Sequence, residues 1–317
     1  MAGPLKRRIV VALGGNAILR SNEKGTADEQ LRNLTGTCRR LASMITQWYQ
    51  VVITHGNGPQ VGNILIQNEA AKERVPAMPL DICGAESQGL IGYMIQRSLR
   101  DELLRLGKRR TVTSLITQVV VDRHDKAFQH PTKPVGPFYG KEHAEEQIKV
   151  KGEHWIEQRG KGWRKVVPSP EPEEIVEKEA ILGLMDSGVV VIACGGGGVP
   201  VIREADGSLR GVEAVIDKDL AAHCLARDIG ADILMILTDV ESVMLRFGQP
   251  DQLALREVSA RELRRYQQEG HFPDGSMGPK VEAAIRFVED GGKAAIITSL
   301  SGAHESLKGT VGTRVTA

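Results

Sequence analysis

Six short runs of apolar, largely β-branched residues punctuate the chain: IVVAL (9–13), VVIT (51–54), VTSLITQVVV (112–121), VVVIAC (189–194), ILMIL (233–237) and AAIIT (294–298). Unbroken apolar runs of this length suit strands covered on both faces, as in a parallel sheet packed between helices. Between the first two runs, Leu31, Leu34, Cys38, Leu41, Ile45 and Trp48 recur at three- and four-residue steps, which predicts an amphipathic helix. Further stripes run through Leu90, Met94 and Leu99, and through Val281, Ala284, Ile285 and Val288. The alternation predicts an α/β fold, a three-layer αβα sandwich around a central, mainly parallel sheet.

Residues 122–169 break the rhythm. They read DRHDKAFQHPTKPVGPFYG, then a short charged helical stretch, then RGKGWRKVVPS, with no long apolar period. A structureless loop of this length is uncommon inside a compact domain and is usually functional. Phe128, Phe138, Tyr139, Trp155 and Trp163 all fall here and need something to pack against. The segment predicts a small protruding subdomain, a hairpin or lid.

Composition narrows the partners. A net charge of +1 gives no reason to expect nucleic acid or an acidic membrane, and 4% aromatic residues make a base-stacking platform a poor fit. Cys38, Cys83, Cys194 and Cys224 form no CxxC pair, and the eight histidines show no HExxH spacing. His223 and Cys224 are adjacent on a predicted helix and point in different directions. No side-chain metal site is expected, and the scattered thiols suit a reducing, cytoplasmic compartment. The N-terminal apolar run stops at Gly14, too soon for a signal peptide, and no stretch approaches a membrane span.

Candidate chemistry lies at the ends of the strands. Three of them run into glycine turns, Gly14-Gly15-Asn16, Gly56-Asn57-Gly58 and 195–198. In a parallel sheet these turns share one edge, where ligands bind. Glycine there lets backbone N–H groups approach an anion closely, and a following helix adds its dipole. Neither GxxxxGK[ST] nor GxGxxG occurs, which sets aside P-loop and dinucleotide enzymes. The apparent phosphate loop at Gly14 also lacks a local lysine. Lysines stand elsewhere: Lys280 follows Pro279 at a helix start, the unfavourable end for a cation unless an anion binds there. Lys218 sits between Asp217 and Asp219, either of which can cap the helix that follows. An acid beside a lysine keeps it protonated and aims it.

The motifs VALGGNAI, THGNGPQVGN, SQGLIGY, TQVVVD, PTKPVGPF, KGWRKVVPSP, GGGGVPV, VEAVIDKD, LTDV and GSMGPK, in this order from about residue 8 onward, resemble carbamate kinase, of the amino-acid-kinase fold. The resemblance implies reversible formation of ATP from ADP and carbamoyl phosphate, with Mg2+ carried mainly on phosphates, by a homodimer. Lys133 of PTKP, Lys218 and Lys280 would neutralise the transferring phosphoryl group; Asp219, and secondarily Asp217, would orient them. Gly14, Gly15, Asn16, Gly56, Asn57 and Gly58 would bind the carbamoyl phosphate end. Gly196, Gly197, Thr238, Asp239, Val240, Val243, Gly275, Met277 and Pro279 would hold the nucleotide. Residues 1–203 would form the carbamoyl phosphate lobe and 204–317 the nucleotide lobe. Three departures stand out: Ala12 where the wider fold carries lysine, Ser87 in place of threonine, and the small Gly278 between Met277 and Pro279.

Two other functions fit parts of the chain. Ala85-Glu86-Ser87-Gln88-Gly89 resembles a serine-hydrolase elbow with its first glycine changed, but PLDICG before it is a poor strand. A non-catalytic sensor on the same fold would have no use for three phosphate-facing lysines. A third possibility, a kinase for another small acyl phosphate or an amino acid, keeps the same chemistry.

Overall fold

The computed structural model describes residues 7–20, 22–45, 49–158, 160–273 and 276–317. At its centre is an eight-stranded sheet. Across the sheet the strands run Glu257–Ser259, Thr313–Thr316, Ala294–Ser299, Ile233–Thr238, Arg7–Leu13, Tyr49–His55, Val190–Ile192 and Val112–Ser114. Neighbours pair in parallel except where Thr313–Thr316 meets Ala294–Ser299, so only the two strands at one edge run backwards. Residues 1–203 and 204–317 share this sheet, because Arg7–Leu13 lies between Tyr49–His55 and Ile233–Thr238.

Period-two alternation sends each strand's side chains into two separate cores. Ile9, Val11 and Leu13 pack with Leu34, Cys38 and Leu41 of helix Ala27–Ile45 and with Ile91, Ile95 and Leu99 of helix Leu80–Arg105. Val10 and Ala12 pack the other way, with Leu225 of helix Lys218–Asp228 and with Val281, Ala284, Ile285 and Val288 of helix Met277–Glu289. The three-layer αβα sandwich is therefore present. Trp48, assigned to the first helical stripe, lies outside the described residues.

Two expectations need correction. Leu90 is 39% exposed, whereas Met94 and Leu99 are buried. Nine residues separate Leu90 from Leu99, about half a revolution of an α-helix, so one apolar face cannot hold both. The run at 112–121 is not one strand either. Val112–Ser114 stays in the main sheet, while Gln118–Val121 joins a second, four-stranded sheet beside Val199–Arg203 and Pro172–Ile175. Thr117, fully buried between them, pins the crossing: its hydroxyl accepts from Cys194 N–H and its carbonyl from Val199 N–H. Apolarity alone does not report such a change of sheet.

The protruding subdomain is a three-stranded antiparallel sheet, Lys133–Tyr139, Gly162–Val167 and His154–Gln158, carrying helix Lys141–Lys151. Some of its expected aromatic residues pack: Tyr139 stacks on His143 at 4.4 Å, and Trp155 meets Tyr139 edge-on at 5.4 Å, whereas Phe138 is exposed and Phe128 packs against the main core. Val135 and Val167 root it on Val61 and Ile64 of helix Gly58–Ala71. Among the described residues no helix is long and apolar enough to cross a membrane. All four cysteines are free and buried.

His55 ends its strand fully enclosed, its Nδ1 2.9 Å from the carbonyl oxygen of Gly56. Burial, opposed by that hydrogen bond, lowers its pKa to about 4. His223 is shifted in the same direction, by burial outweighing its contact with Asp290. The unfolded chain takes up protons near pH 6.5 that the folded chain refuses, so the stability these two groups contribute is complete above that pH and is lost as pH falls toward 4. His55 should contribute about 3 kcal/mol to that loss. Urea unfolding of wild type and His55→Gln between pH 7 and 4.5 measures it; a variant that keeps the wild-type pH slope would show that His55 is not the source.

Candidate active site

The expected glycine turns do share one edge of the sheet. Leu13 pairs with Leu237 and with His55, and Ile192 pairs with Ile53, so the residues after these strands emerge side by side. A cleft of about 320 Å³ opens there. Its lining includes Gly15, Gly56, Asn57, Gly58, Gly196, Pro279 and all five expected charged residues, Lys133, Asp217, Lys218, Asp219 and Lys280.

Local structure explains how the charges meet. Asp217 caps helix Lys218–Asp228: its Oδ1 accepts from Asp219 N–H at 2.9 Å. The cap leaves Oδ2 to pair with Lys133 Nζ, also at 2.9 Å, at the start of the subdomain's first strand. Asp219, its side chain 3% exposed, accepts from Lys218 at 2.5 Å on Oδ1 and from Lys280 at 3.2 Å on Oδ2. Lys280 is braced further by the carbonyl of Ser276 at 3.0 Å. Burial of Asp217 works against its ionisation. The charge and hydrogen bond of Lys133, the Asp219 N–H and the charge of Lys218 outweigh it and hold the carboxyl below its ordinary value. Asp217 is therefore an anion near neutral pH.

The cleft presents donors. Four cationic side chains, counting Arg164, face two carboxylates in its wall. Helices Gly58–Ala71 and Met277–Glu289 both begin here without a side-chain cap on their first N–H groups. Uncapped helix starts and surplus positive charge suit an anion of the size of a phosphate. Two glycines bring other groups close to the backbone, and at Gly196 both space and conformation require one. The side chain of Lys218 passes over Gly56, where a Cβ would stand 3.3 Å from its Cδ. Gly196, at φ +67°, lies against the Asn57 amide, which a Cβ would overlap.

Other candidate residues lie outside this lining. Gly14 donates its N–H to Leu237 at 3.0 Å and packs against that carbonyl, so it extends the sheet and is not a free anion donor. Asn16 reaches Asp239 Oδ2 at 2.6 Å, tying two neighbouring turns together. Thr238 and Val240 are half-buried beside them, and Met277 is half-buried at its helix start. Gly197, at φ +96°, packs against the carbonyl of Ile216. Val243 is fully buried and belongs to the core. Gly275 lies outside the described residues. A second, open cleft of about 940 Å³ adjoins the first through Lys133, Pro134, Asp217 and Pro279 and includes Gly278, Phe272 and Arg286.

Sequence reasoning passed over Arg164. It enters the cleft from the subdomain with Nε on the carbonyl of Gly136 at 3.0 Å and its guanidinium over the Phe138 ring. Its only signal was its place in KGWRKVVPSP. Ser87 sits inside helix Leu80–Arg105, fully buried and donating to Gly84 at 2.6 Å, so it is no nucleophile elbow. The cysteines offer no nucleophile: burial pushes the Cys224 thiol up to about 12, and those of Cys38 and Cys194 are raised too.

Comparison with known proteins identifies the family of the whole chain. The profile of the amino acid kinase family matches residues 7–299. The chain is 54% identical to the carbamate kinase of Pyrococcus horikoshii, over 98% of this chain and 100% of that protein. It is 48% identical to that of Clostridium perfringens, over 97% and 99%. The solved carbamate kinase from Giardia lamblia bound to AMP-PNP superposes with a TM-score of 0.94 at 45% identity, covering 98% of this chain and 99% of that one. The chain belongs to the amino acid kinase family, within its carbamate kinase group.

Proposed function

We propose that the protein is a carbamate kinase, moving a phosphoryl group reversibly between carbamoyl phosphate and ADP to give ATP and carbamate, which decomposes to ammonia and CO2. The observation that carries the reading is the pair of carboxylates, Asp217 and Asp219, that gathers Lys133, Lys218 and Lys280 beside the glycine turns. Relatives of this identity carry the same name over their whole length.

Transfer between a carboxyl-type oxygen and ADP needs little acid–base work, since both acceptor oxygens are anionic near neutral pH. Catalysis is then positioning and charge cancellation along an in-line path. In this reading Lys133, Lys218 and Lys280 hold the equatorial oxygens of the moving group, while Asp217 and Asp219 keep the lysines aimed. Gly15, Gly56, Asn57 and Gly58 receive the carbamoyl end. The nucleotide comes from the side of Thr238, Asp239, Val240, Met277 and Pro279, with Gly196 between the two substrates. Lys133 rides on the subdomain, so closure of the subdomain brings it to the substrate. Asp217 and Asp219 have their oxygens on lysines and on the Asp219 N–H, and do not fit as a resident metal's ligands. Mg2+ would arrive on the nucleotide's phosphates and add to the neutralisation of their charge. The enzyme is proposed to act in the cytoplasm as a homodimer.

The test of the activity is ATP formation from ADP with carbamoyl phosphate, compared with acetyl phosphate and acetylglutamyl phosphate. Carbamoyl phosphate should be the preferred donor, and no ATP from it would refute the proposal. Alanine at Lys133, Lys218 or Lys280 should lower kcat by about 10² or more, with a smaller effect on KM. A lysine variant that keeps its kcat would remove that residue from the transfer step.

A further inference from the structure

The hydrogen bonds behind Asn57 run in one direction only. Ser87 Oγ lies 2.6 Å from the carbonyl oxygen of Gly84 and 2.8 Å from the side-chain amide of Asn57. A carbonyl oxygen can only accept, so the single hydroxyl proton of Ser87 is committed to Gly84. Ser87 then has only lone pairs left for Asn57, and Asn57 must turn its NH2 toward the serine. The other end of the amide, the acceptor Oδ1, is left for the cleft that Asn57 lines. Oδ1 has no hydrogen-bond partner among the described residues and is not sealed in, since the buried unpartnered side-chain atom among them is Thr298 Oγ1. Gly196 presses on the face of the amide and leaves no room for a side chain there.

An acceptor is out of place in this cleft. Phosphate and carboxylate oxygens need donors, which the lysines, Arg164 and the helix starts supply. The carboxylates of Asp217 and Asp219 are engaged with lysines. Asn57 Oδ1 therefore calls for an N–H on the substrate. Carbamoyl phosphate differs from acetyl phosphate by NH2 in place of CH3, groups of nearly equal size, so shape discriminates poorly and a hydrogen bond discriminates well.

We propose that Asn57 Oδ1 accepts the N–H of the carbamoyl group, and that Ser87 is the positioning residue that keeps this acceptor facing the substrate. Together they set the preference for a carbamoyl over an acetyl donor. The inference rests on the carbamate kinase reading and deepens it. Ser87, buried behind Asn57, acts without touching the substrate.

The experiment is kcat/KM for ATP formation with carbamoyl phosphate and with acetyl phosphate, in wild type, Ser87→Ala and Ser87→Thr. Where acetyl phosphate turns over too slowly, its Ki against carbamoyl phosphate supplies the second number. Ser87→Ala frees the amide to turn over and should lower the carbamoyl-to-acetyl ratio about tenfold, one hydrogen bond's worth. The loss should fall on carbamoyl phosphate alone. Ser87→Thr keeps the hydroxyl and should restore the ratio. If Ser87→Ala does not fold, as judged by its thermal melt, Asn57→Leu removes the acceptor directly and should lower the same ratio. An unchanged ratio, or an equal fall with both donors, overturns the proposal. Wild type that makes no ATP from carbamoyl phosphate refutes the underlying function instead, so the two failures are distinct.

Discussion

The carboxylate of Asp219 is shared by two lysines from different helices, and the cleft depends on that arrangement. Lys218 and Lys280 would repel one another across a site partly closed to solvent, where charges are poorly screened. With its side chain 3% exposed, Asp219 is buried at a solvation cost that its two lysine partners and its place in the first turn of a helix offset. Asp217 repeats the device two residues earlier, capping the same helix while holding Lys133. Two acids at one helix start thus assemble three cations whose sequence positions span residues 133–280. The surplus positive charge that remains is what an incoming phosphoryl group would meet.

The glycines serve this cluster by their lack of volume. Lys218 crosses Gly56, Asn57 lies on Gly196, and Gly197 admits the carbonyl of Ile216. Side chains at these positions would push the cationic wall away from the backbone donors opposite. Gly14 belongs to a different category, because its N–H closes the ladder with Leu237. A glycine in a turn therefore marks close approach, and the partner decides whether the approach is to a ligand or to the protein itself. The same reasoning extends to Ala12, fully buried beneath a helix that lies over the sheet. The cations are supplied from elsewhere.

Asn57 shows how a buried hydroxyl can decide the chemistry of a residue in front of it. Amide groups offer a donor and an acceptor at nearly equal size, so their orientation needs an external reference. The carbonyl of Gly84, acting through Ser87, is that reference here.

Local sequence pattern specifies the sandwich, most of its buried strands and five of the charged residues that meet in the cleft. Uninterrupted apolar runs, helical stripes and glycine turns are local consequences of burial and backbone geometry, and residues such as Val10 and Leu225 need no knowledge of one another to report them. It also carried the family through short motifs. Tertiary structure decided which residues share a cavity. The change of sheet at Thr117, the exposure of Leu90, the ladder role of Gly14, the core position of Val243 and the entry of Arg164 into the cleft all depend on contacts distant in sequence. The pairing of one carboxylate with each of two lysines, or of Ser87 with Asn57, is likewise set by which turns of the chain come within hydrogen-bond distance. Periodicity encodes a residue's side of its own element, and it carries no term for what the packed sheet brings to meet it.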